Sequence, residues 1–179
     1  MNEILFFSND DTSTDISNRL LPDFTSSMTD MMGEIVKEAE GVMKERNQRI
    51  VLERSSTPAI AWIDKETSRM VFENLVDNAS KYSEENTTIT ITVAVYEKSV
   101  TVNVTDEGVG ISDEDMSKLF EKFSRIHNPL STQAGGSGLG LYWVKKIVDL
   151  HGGGIEVTST PDKGTSFLIK LPRLVGMLE

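Results

Sequence analysis

The sequence feature that most constrains the fold is a stretch of alternating apolar residues between positions 87 and 106. Ile or Val occupies every second position of its first half (89–95) and again of its second half (100–104), with a Glu-Lys turn between them. Two runs with a period of two predict an antiparallel β-hairpin with one apolar face. That face must be buried against another layer of structure.

Helices and further strands are predicted around this hairpin. Apolar residues recur at helical spacing from Met28 to Met43, and Ser27 with Asp30 can cap the start of that helix. Asp64 can cap a second helix that runs to about Tyr82. Strands are also predicted at 49–53, 59–62, 155–160 and 166–172, a short helix from Ser112, and a helix over 139–150. This mixed order predicts a two-layer α/β sandwich, in which helices cover one face of a mixed, mostly antiparallel sheet.

Composition narrows the functional class. The chain has 179 residues, 26% of them charged, and its net charge is −10. We expect no nucleic-acid partner, because phosphate backbones are held by surplus Lys and Arg. Cysteine is absent, which excludes disulfides and thiolate metal sites. Since no apolar stretch approaches the ~18 residues that span a bilayer, we expect a cytoplasmic domain.

The second helix carries a polar group of side chains on one side. Asn74, Asn78 and Lys81 are spaced i, i+4 and i+7, and Tyr82 lies beside Lys81. A carboxamide oxygen is a hard, neutral ligand for magnesium, and a Lys ammonium suits phosphate. The alternative is a solvated polar edge, and for this helix alone that interpretation is favoured.

Two glycine-containing segments carry the other candidate chemistry. In the first, the period of two places Asp106 on the apolar side at the end of a strand, where its carboxylate needs donors such as the exocyclic amine of a ligand. Gly108 and Gly110 follow and would let the backbone pass close to a flat ring. In the second, GGSGLGL at 135–141 directly precedes a helix and can bind an anion through its backbone N–H groups. Ordinary turn chemistry could equally explain the first segment, and a flexible loop the second.

The order of these segments resembles that of a known family. ENLVDNASKYS (73–83), DEGVGI (106–111), LFEKF (119–123) and GGSGLGL (135–141) are similar to the N, G1, F and G2 boxes of the histidine kinase catalytic domain, in the gyrase, Hsp90, histidine kinase and MutL superfamily. GTSF (164–167) and HGGGIEV (151–157) also match that pattern. The resemblance spans roughly residues 24–172 and implies the Bergerat-type ATP-binding fold.

The resemblance implies a role for each matching residue. Asn78 would hold Mg²⁺, Asn74 would act near the triphosphate of ATP, and Lys81 would meet phosphate. Asp106 would accept from the adenine amino group, and Arg125 would reach the γ-phosphate as the second catalytic residue. The other residues implied around the nucleotide are Tyr82, Gly108, Gly110, Ile111, Gly136, Ser137, Gly138, Leu139, Gly140, Leu141 and Thr165.

The expected function is therefore transfer of the γ-phosphate of Mg-ATP to a histidine on a separate dimerisation domain, with a response regulator downstream. An ATP-hydrolysing clamp of the same superfamily would place Glu four residues before the magnesium-binding Asn, where this chain has Asn74, which cannot act as a base. Glu73 is turned roughly 100° away around the helix. A serine kinase of the anti-sigma type and a non-catalytic binding module are two further rival functions.

The expected organisation follows from the same resemblance. Residues 1–22 are interpreted as the remnant of a dimerisation helix plus linker, 23–173 as the catalytic domain and 174–179 as a tail. Neither His127 nor His151 has the acidic and proline neighbours of a phosphoacceptor histidine. We expect this chain to be monomeric and its parent kinase to be dimeric, and a membrane anchor elsewhere in the parent is compatible with this organisation.

Overall fold

A computed structural model describes residues 25–125, 130 and 137–173. In chain order its elements are β1 (Thr25–Ser27), α1 (Met28–Glu45), β2 (Arg49–Glu53), β3 (Ile60–Trp62), α2 (Lys65–Lys81), β4 (Thr88–Val95), β5 (Ser99–Thr105), α3 (Asp113–Met116), α4 (Gly140–Leu150), β6 (Gly154–Thr160) and β7 (Gly164–Pro172). The segments interpreted as a helix remnant (1–22) and a tail (174–179) lie outside the described residues.

Five strands form the main sheet in the order β2-β4-β5-β7-β6. The β2–β4 pair is parallel and the other three pairs are antiparallel. The register aligns apolar residues across the sheet: Ile91 is opposite Val104, and Val104 is opposite Phe167, which is opposite Val157. One face of the sheet is therefore apolar across its width.

The other face of the sheet is largely polar. Thr105 lies opposite Thr90 on one side and Ser166 on the other, and the Thr105 and Ser166 hydroxyls are 3.0 Å apart. Buried residues of α1, α2 and α4 belong to the same hydrophobic core as the apolar strand residues. The predicted two-layer sandwich with a mixed, mostly antiparallel sheet is confirmed. Within the part of the chain that the structure describes, no helix is both long and apolar enough to cross a membrane.

Side-chain caps fix where the two long helices begin. The Ser27 hydroxyl accepts from the Asp30 N–H at 3.2 Å, and the Asp64 carboxylate accepts from the Thr67 N–H at 2.7 Å. Each capping side chain satisfies a backbone donor that the first turn leaves without an intrahelical acceptor. Both predicted helix starts are confirmed, and α2 ends one residue before Tyr82.

Helices α2 and α4 lie side by side and antiparallel. At one end, a β-carbon added to Gly140 would lie 2.5 Å from the Asn74 amide nitrogen, which shows how closely the start of α4 approaches α2. At the other end, Nε2 of His151 accepts from the Asp64 N–H at 2.9 Å. The two helices therefore contact each other near both ends of α4.

A small second sheet was not predicted. Its strands β1 and β3 pair antiparallel, with Ser26 opposite Ala61. The strand predicted at 59–62 is thus present as β3, but it does not join the main sheet that contains β2.

Candidate functional site

A cavity of about 230 Å³ lies between α2, the segment that follows β5, the start of α4 and β7. Its wall contains most of the residues selected from the sequence, namely Asn74, Asn78, Lys81, Tyr82, Asp106, Gly110, Ile111, Arg125, Ser137, Gly138, Gly140, Leu141 and Thr165. Gly108 and Leu139 are described but do not line the wall. Gly136 and His127 lie outside the described residues. Residues far apart in the sequence therefore meet around one cavity.

The two asparagines of α2 contact each other. Asn78 donates through Nδ2 to the Asn74 Oδ1 at 3.1 Å, and both side chains are partly buried in the cavity wall. Because Asn78 uses its amide nitrogen in this bond, its Oδ1 oxygen is left to bind a ligand. A carboxamide oxygen with a lone pair available can coordinate a hard cation.

Lys81 lies in the wall as predicted, but it is already paired. Its ammonium is 2.6 Å from the Asp77 carboxylate one helical turn earlier, and Asp77 also lines the cavity. The sequence interpretation overlooked Asp77, although its spacing of i+3 from Asn74 and i+4 to Lys81 places it on the same side of α2.

Asp106 forms the buried acidic part of the cavity. Only 6% of this residue is exposed, and its Oδ1 accepts from the Gly108 N–H at 2.9 Å and from the Thr165 N–H at 3.1 Å. Burial raises the pKa of the carboxyl to about 6, because desolvation disfavours its charged form more than the two N–H donors favour it. Asp106 is thus an inward carboxylate, as the period of two predicted.

Gly108 supports Asp106 and does not line the cavity. A β-carbon on Gly108 would collide with the Tyr82 carbonyl oxygen and would lie 2.8 Å from Asp106 Oδ1. Only a residue without a side chain allows the backbone to turn back onto the carboxylate at this point. Gly108 is therefore explained by the close contact between its backbone and the Tyr82 carbonyl oxygen.

Four further residues complete the wall and were not selected from the sequence. Ala79, Leu119 and Phe167 are buried and apolar, and Ser124 is partly buried. Leu119 and Phe167 stand inside motifs that the sequence analysis quoted, in LFEKF and GTSF. Their apolar character gave no reason to separate them from ordinary core positions.

The two predicted catalytic residues lie in the same wall with different exposure. Asn74 is partly buried beside the start of α4, whereas Arg125 is exposed. Glu73, the residue next to Asn74, points away and pairs with Arg69 at 2.7 Å. The Glu73 carboxylate, which is adjacent to Asn74 in sequence, is therefore paired with Arg69 outside the cavity wall.

The described residues contain no group of three or more His, Cys, Asp or Glu side chains placed to bind a metal ion. A divalent cation at this site would therefore need few protein ligands, such as the Asn78 oxygen, and would take the others from a ligand's own oxygens and from water. Mg²⁺ is bound in this way at many phosphate sites. The donor set of the cavity fits that cation.

The side chain of His151 is held within the fold by contacts at both ring nitrogens. Its Nδ1 is 2.8 Å from the Ile147 carbonyl oxygen, and its Nε2 accepts from the Asp64 N–H. Both ring nitrogens thus have partners within the fold, and the tautomer with its hydrogen on Nδ1 fits this geometry. This geometry agrees with the interpretation that His151 is not a phosphoacceptor.

The chain is similar to known proteins of one family. The family model described as "Histidine kinase-, DNA gyrase B-, and HSP90-like ATPase" matches residues 63–175. The sensor histidine kinase WalK of Bacillus subtilis (strain 168) is 38% identical over 112 residues, which are 62% of this chain and 18% of that protein. The sensor protein SrrB of Staphylococcus aureus (strain NCTC 8325 / PS 47) is 37% identical over 110 residues, which are 62% of this chain and 19% of that protein.

The fold is also similar to that of solved histidine kinase structures. The catalytic domain of histidine kinase ThkA superposes with a TM-score of 0.74 at 28% identity, and the match covers 84% of this chain and 95% of that domain. A mycobacterial sensor histidine kinase, MprB, gives a TM-score of 0.69 at 27% identity, covering 83% of this chain and 96% of that one. ThkA has also been solved in complex with response regulator protein TrrA; that match has a TM-score of 0.70 at 25% identity and covers 84% of this chain and 42% of that one.

Proposed function

The chain belongs to the family of histidine kinase-, DNA gyrase B- and HSP90-like ATPases, and within that family we propose that it is the ATP-binding catalytic domain of a sensor histidine kinase. In this role it binds Mg-ATP and transfers the γ-phosphate to a histidine of a separate dimerisation domain. The chain spans less than a fifth of the length of the curated relatives it matches. The activity of the whole kinase is therefore part of the proposal.

The observation that supports this proposal most is that one cavity contains both a buried carboxylate and a group of amide and ammonium side chains. A buried carboxylate, Asp106, lies in the same wall as the amides of Asn74 and Asn78 and the cation of Lys81. A carboxylate suits the amino group of adenine, while the amides and the ammonium suit a metal-bound polyphosphate. ATP has these two groups at its two ends.

Asp106 has the properties expected of an adenine acceptor. Both of its hydrogen bonds from described residues end on Oδ1, so Oδ2 is left to accept from a ligand. The cavity wall also includes the hydroxyl-bearing Thr165 and the apolar Ile111 and Phe167. A flat, apolar base with one amino group fits this part of the cavity.

At the phosphate end, Asn78 would hold Mg²⁺ through Oδ1, and that cation would neutralise charge on the phosphate oxygens. Asn74 keeps the Asn78 amide oriented through their 3.1 Å hydrogen bond. Arg125 would place its positive charge beside the γ-phosphate as that group moves to the acceptor. In phosphoryl transfer, positioning and electrostatic stabilisation supply most of the catalysis.

Transfer to a protein is favoured over hydrolysis because α2 lacks the Glu that activates water in a clamp ATPase of this superfamily. Asn74 occupies the position where an ATP-hydrolysing clamp would carry Glu, and a carboxamide does not take up a proton. Glu73 is paired with Arg69 outside the cavity wall. This arrangement supports a kinase in preference to a clamp ATPase.

The proposed partners come from the relatives. The named sensor kinases are several times longer than this domain, and ThkA forms a complex with the response regulator TrrA. We propose that this chain works in a kinase that passes phosphate to a response regulator, and that this kinase is dimeric and supplies the acceptor histidine, as the motif resemblance implies. A cytoplasmic position of the domain goes with these partners and with ATP as substrate.

The proposal is tested by calorimetric titration of the chain with ATP and GTP, each with Mg²⁺ and with a chelator. Mg-ATP should bind and GTP should bind at least tenfold more weakly, because its ring presents an oxygen to Asp106, a difference of about 1.4 kcal/mol. Asn78→Ala should abolish the gain in ATP affinity from Mg²⁺.

Asn103→Ala is the matched control, because Asn103 contacts Thr105 and Ser166 on the polar face of the sheet. This variant should keep the full effect of Mg²⁺. Equal affinities for ATP and GTP would contradict the adenine assignment. A full magnesium effect in Asn78→Ala would place the metal elsewhere.

A further inference from the structure

Asp77 is a cavity residue to which neither the motif resemblance nor the proposed mechanism gives a role. Its carboxylate is 2.6 Å from the Lys81 ammonium, and both side chains line the cavity. The pair is partly open to solvent, since the Asp77 side chain is 51% exposed and that of Lys81 is 30% exposed. Asp77 therefore holds a negative charge at the surface that a ligand's phosphates would approach.

The position of Asp77 assigns it to the phosphate end of the cavity. It directly precedes Asn78, whose Oδ1 is the candidate metal ligand, and it follows Asn74 by three residues on the same side of α2. The other carboxylate in the wall, Asp106, is buried at the end of β5. Of the described acidic residues that line the cavity, Asp77 is thus the one paired with Lys81.

We propose that Asp77 makes the site selective for nucleotide that already carries its divalent cation. This inference rests on the proposed function, in which the cavity binds Mg-ATP. A bound divalent cation removes two negative charges from the triphosphate, so the repulsion from the Asp77 carboxylate is greater for free ATP than for the metal complex. Repulsion between like charges grows in proportion to the charge of the ligand.

The ion pair with Lys81 increases this selectivity. The Lys81 ammonium is partly neutralised by Asp77, so it attracts a bare triphosphate less than an unpaired lysine would. With the metal bound, the Asn78 oxygen and the cation supply attraction that does not depend on Lys81. The Asp77–Lys81 pair thus disfavours free ATP while leaving the metal-dependent part of binding in place.

Removal of the Asp77 charge is a clean test because the pair contributes little to the fold. Exposed ion pairs between residues i and i+4 add only slightly to stability. Asp77→Asn keeps the size of the side chain and removes only its charge. The variant is therefore expected to fold as the unaltered chain does.

The experiment measures dissociation constants of Asp77→Asn for ATP with excess Mg²⁺, for ATP with chelator, and for adenosine, all at low ionic strength. The affinity for free ATP should rise about three- to tenfold, whereas that for Mg-ATP should change less than about twofold. Adenosine has no phosphate, and its affinity should stay the same. The ratio of metal-loaded to free affinity should therefore fall.

Asp149→Asn is the matched control. Asp149 pairs with Lys145 at 2.5 Å with the same one-turn separation, but this pair is on α4 and does not line the cavity. The same change in net charge there should leave the ratio unaltered. An equal fall of the ratio in both variants would overturn the proposal, because overall charge would then be the cause.

Two further results separate this inference from the proposed function. If the unaltered chain binds Mg-ATP and Asp77→Asn leaves the ratio unchanged, Asp77 has no selective role and the proposed function still holds. If the unaltered chain binds neither Mg-ATP nor adenosine, the proposed function is wrong and the inference falls with it.

Discussion

At the scale of single residues, Asp106 shows how function and stability oppose each other at this site. Its carboxyl is buried, and the pKa is raised to about 6 from an ordinary value of 3.8 because desolvation outweighs two backbone hydrogen bonds. An acid with a raised folded-state pKa contributes its full stability at low pH, and that contribution is lost as pH rises through the folded-state pKa. The charged form needed to accept from adenine is thus the form that costs stability.

Asp106→Asn should therefore stabilise the chain near pH 7.5 by about 1–3 kcal/mol, because it removes a buried charge and keeps an oxygen for the Gly108 and Thr165 N–H groups. The gain should shrink as pH falls from 6 towards 4, where the native carboxyl is already protonated. Urea unfolding at several pH values measures this difference. A variant that is less stable than the native chain at pH 7.5 would show that the carboxylate is better solvated than its burial indicates.

The same substitution should weaken ATP binding. With an amide in place of the acceptor, the adenine amino group is poorly paired, which costs roughly ten- to a hundredfold in affinity. In the native chain, affinity should also decline as pH drops below about 6, the pKa of Asp106. Titrations between pH 5 and 8 test this, and Asp106→Asn should lose the pH dependence. A flat profile in the native chain would argue against Asp106 as the acceptor.

Sequence reasoning placed Asp106 correctly but overlooked Asp77, and the two cases differ physically. A strand repeats every two residues, so the inward position after Val104 could be read from the pattern. Asp77 satisfies the helical spacing equally well, but a charged residue on a helix surface is usually solvated. Its cavity position depends on where α4 and β7 lie, and local spacing does not contain that information.

At the scale of elements, the relation between α2 and α4 determines the cavity. Gly140 at the start of α4 approaches Asn74, and His151 at its end accepts from the Asp64 N–H at the start of α2. The two ends of α4 thus hold in place the helix that carries Asn74 and Asn78. Neither contact involves residues near each other in sequence.

His151→Ala should weaken this arrangement. It leaves the partly buried Asp64 N–H and the Ile147 carbonyl oxygen without their His151 partners, which should lower the free energy of unfolding by about 1–3 kcal/mol. Urea denaturation measures the change. Asp149→Ala, two residues earlier at an exposed position, should cost less than about 0.5 kcal/mol. Equal losses in the two variants would show that the His151 contacts add nothing specific.

The elements themselves could be predicted where their period is long or strict. Helices α1 and α2 and the hairpin of β4 and β5 begin and end close to the expected residues. Strand β1 was missed because it has only three residues, Thr25–Ser27, and pairs with β3 more than thirty residues later. A strand of that length has no usable period, and its existence depends on a distant partner.

At the scale of the whole molecule, the distribution of charge agrees with an anionic ligand. The chain has a net charge of −10, yet in the described cavity wall the two cations, Lys81 and Arg125, equal the two carboxylates, Asp77 and Asp106, in number, so the wall does not share the overall excess of negative charge. An overall negative charge repels nucleic acid, whereas locally placed cations and a bound metal can hold one triphosphate. The acidic composition and phosphate binding are thus compatible.

The proposal assigns ATP binding to this chain and the acceptor histidine to a separate domain, and this separation can be tested. Given radiolabelled ATP, the isolated chain should neither label itself appreciably nor hydrolyse ATP quickly. His151 uses both ring nitrogens within the fold, and Asn74 offers water no base. Rapid hydrolysis would favour the clamp ATPase, and self-labelling at His151 or His127 would contradict the assignment of those residues.

A dimerisation domain of the parent kinase, supplied in trans, should then acquire phosphate that is labile to acid and stable to alkali, as phosphohistidine requires. Arg125→Ala should suppress this transfer at least tenfold more than it weakens ATP binding, if its charge stabilises the moving γ-phosphate by more than about 1.4 kcal/mol. Arg54→Ala, an exposed arginine outside the cavity wall, is the control and should leave transfer unchanged. If Arg125→Ala lowers ATP binding and phosphate transfer by the same factor, Arg125 contacts only ground-state ATP. Acid-stable phosphoserine on the partner would show that the enzyme is a serine kinase instead.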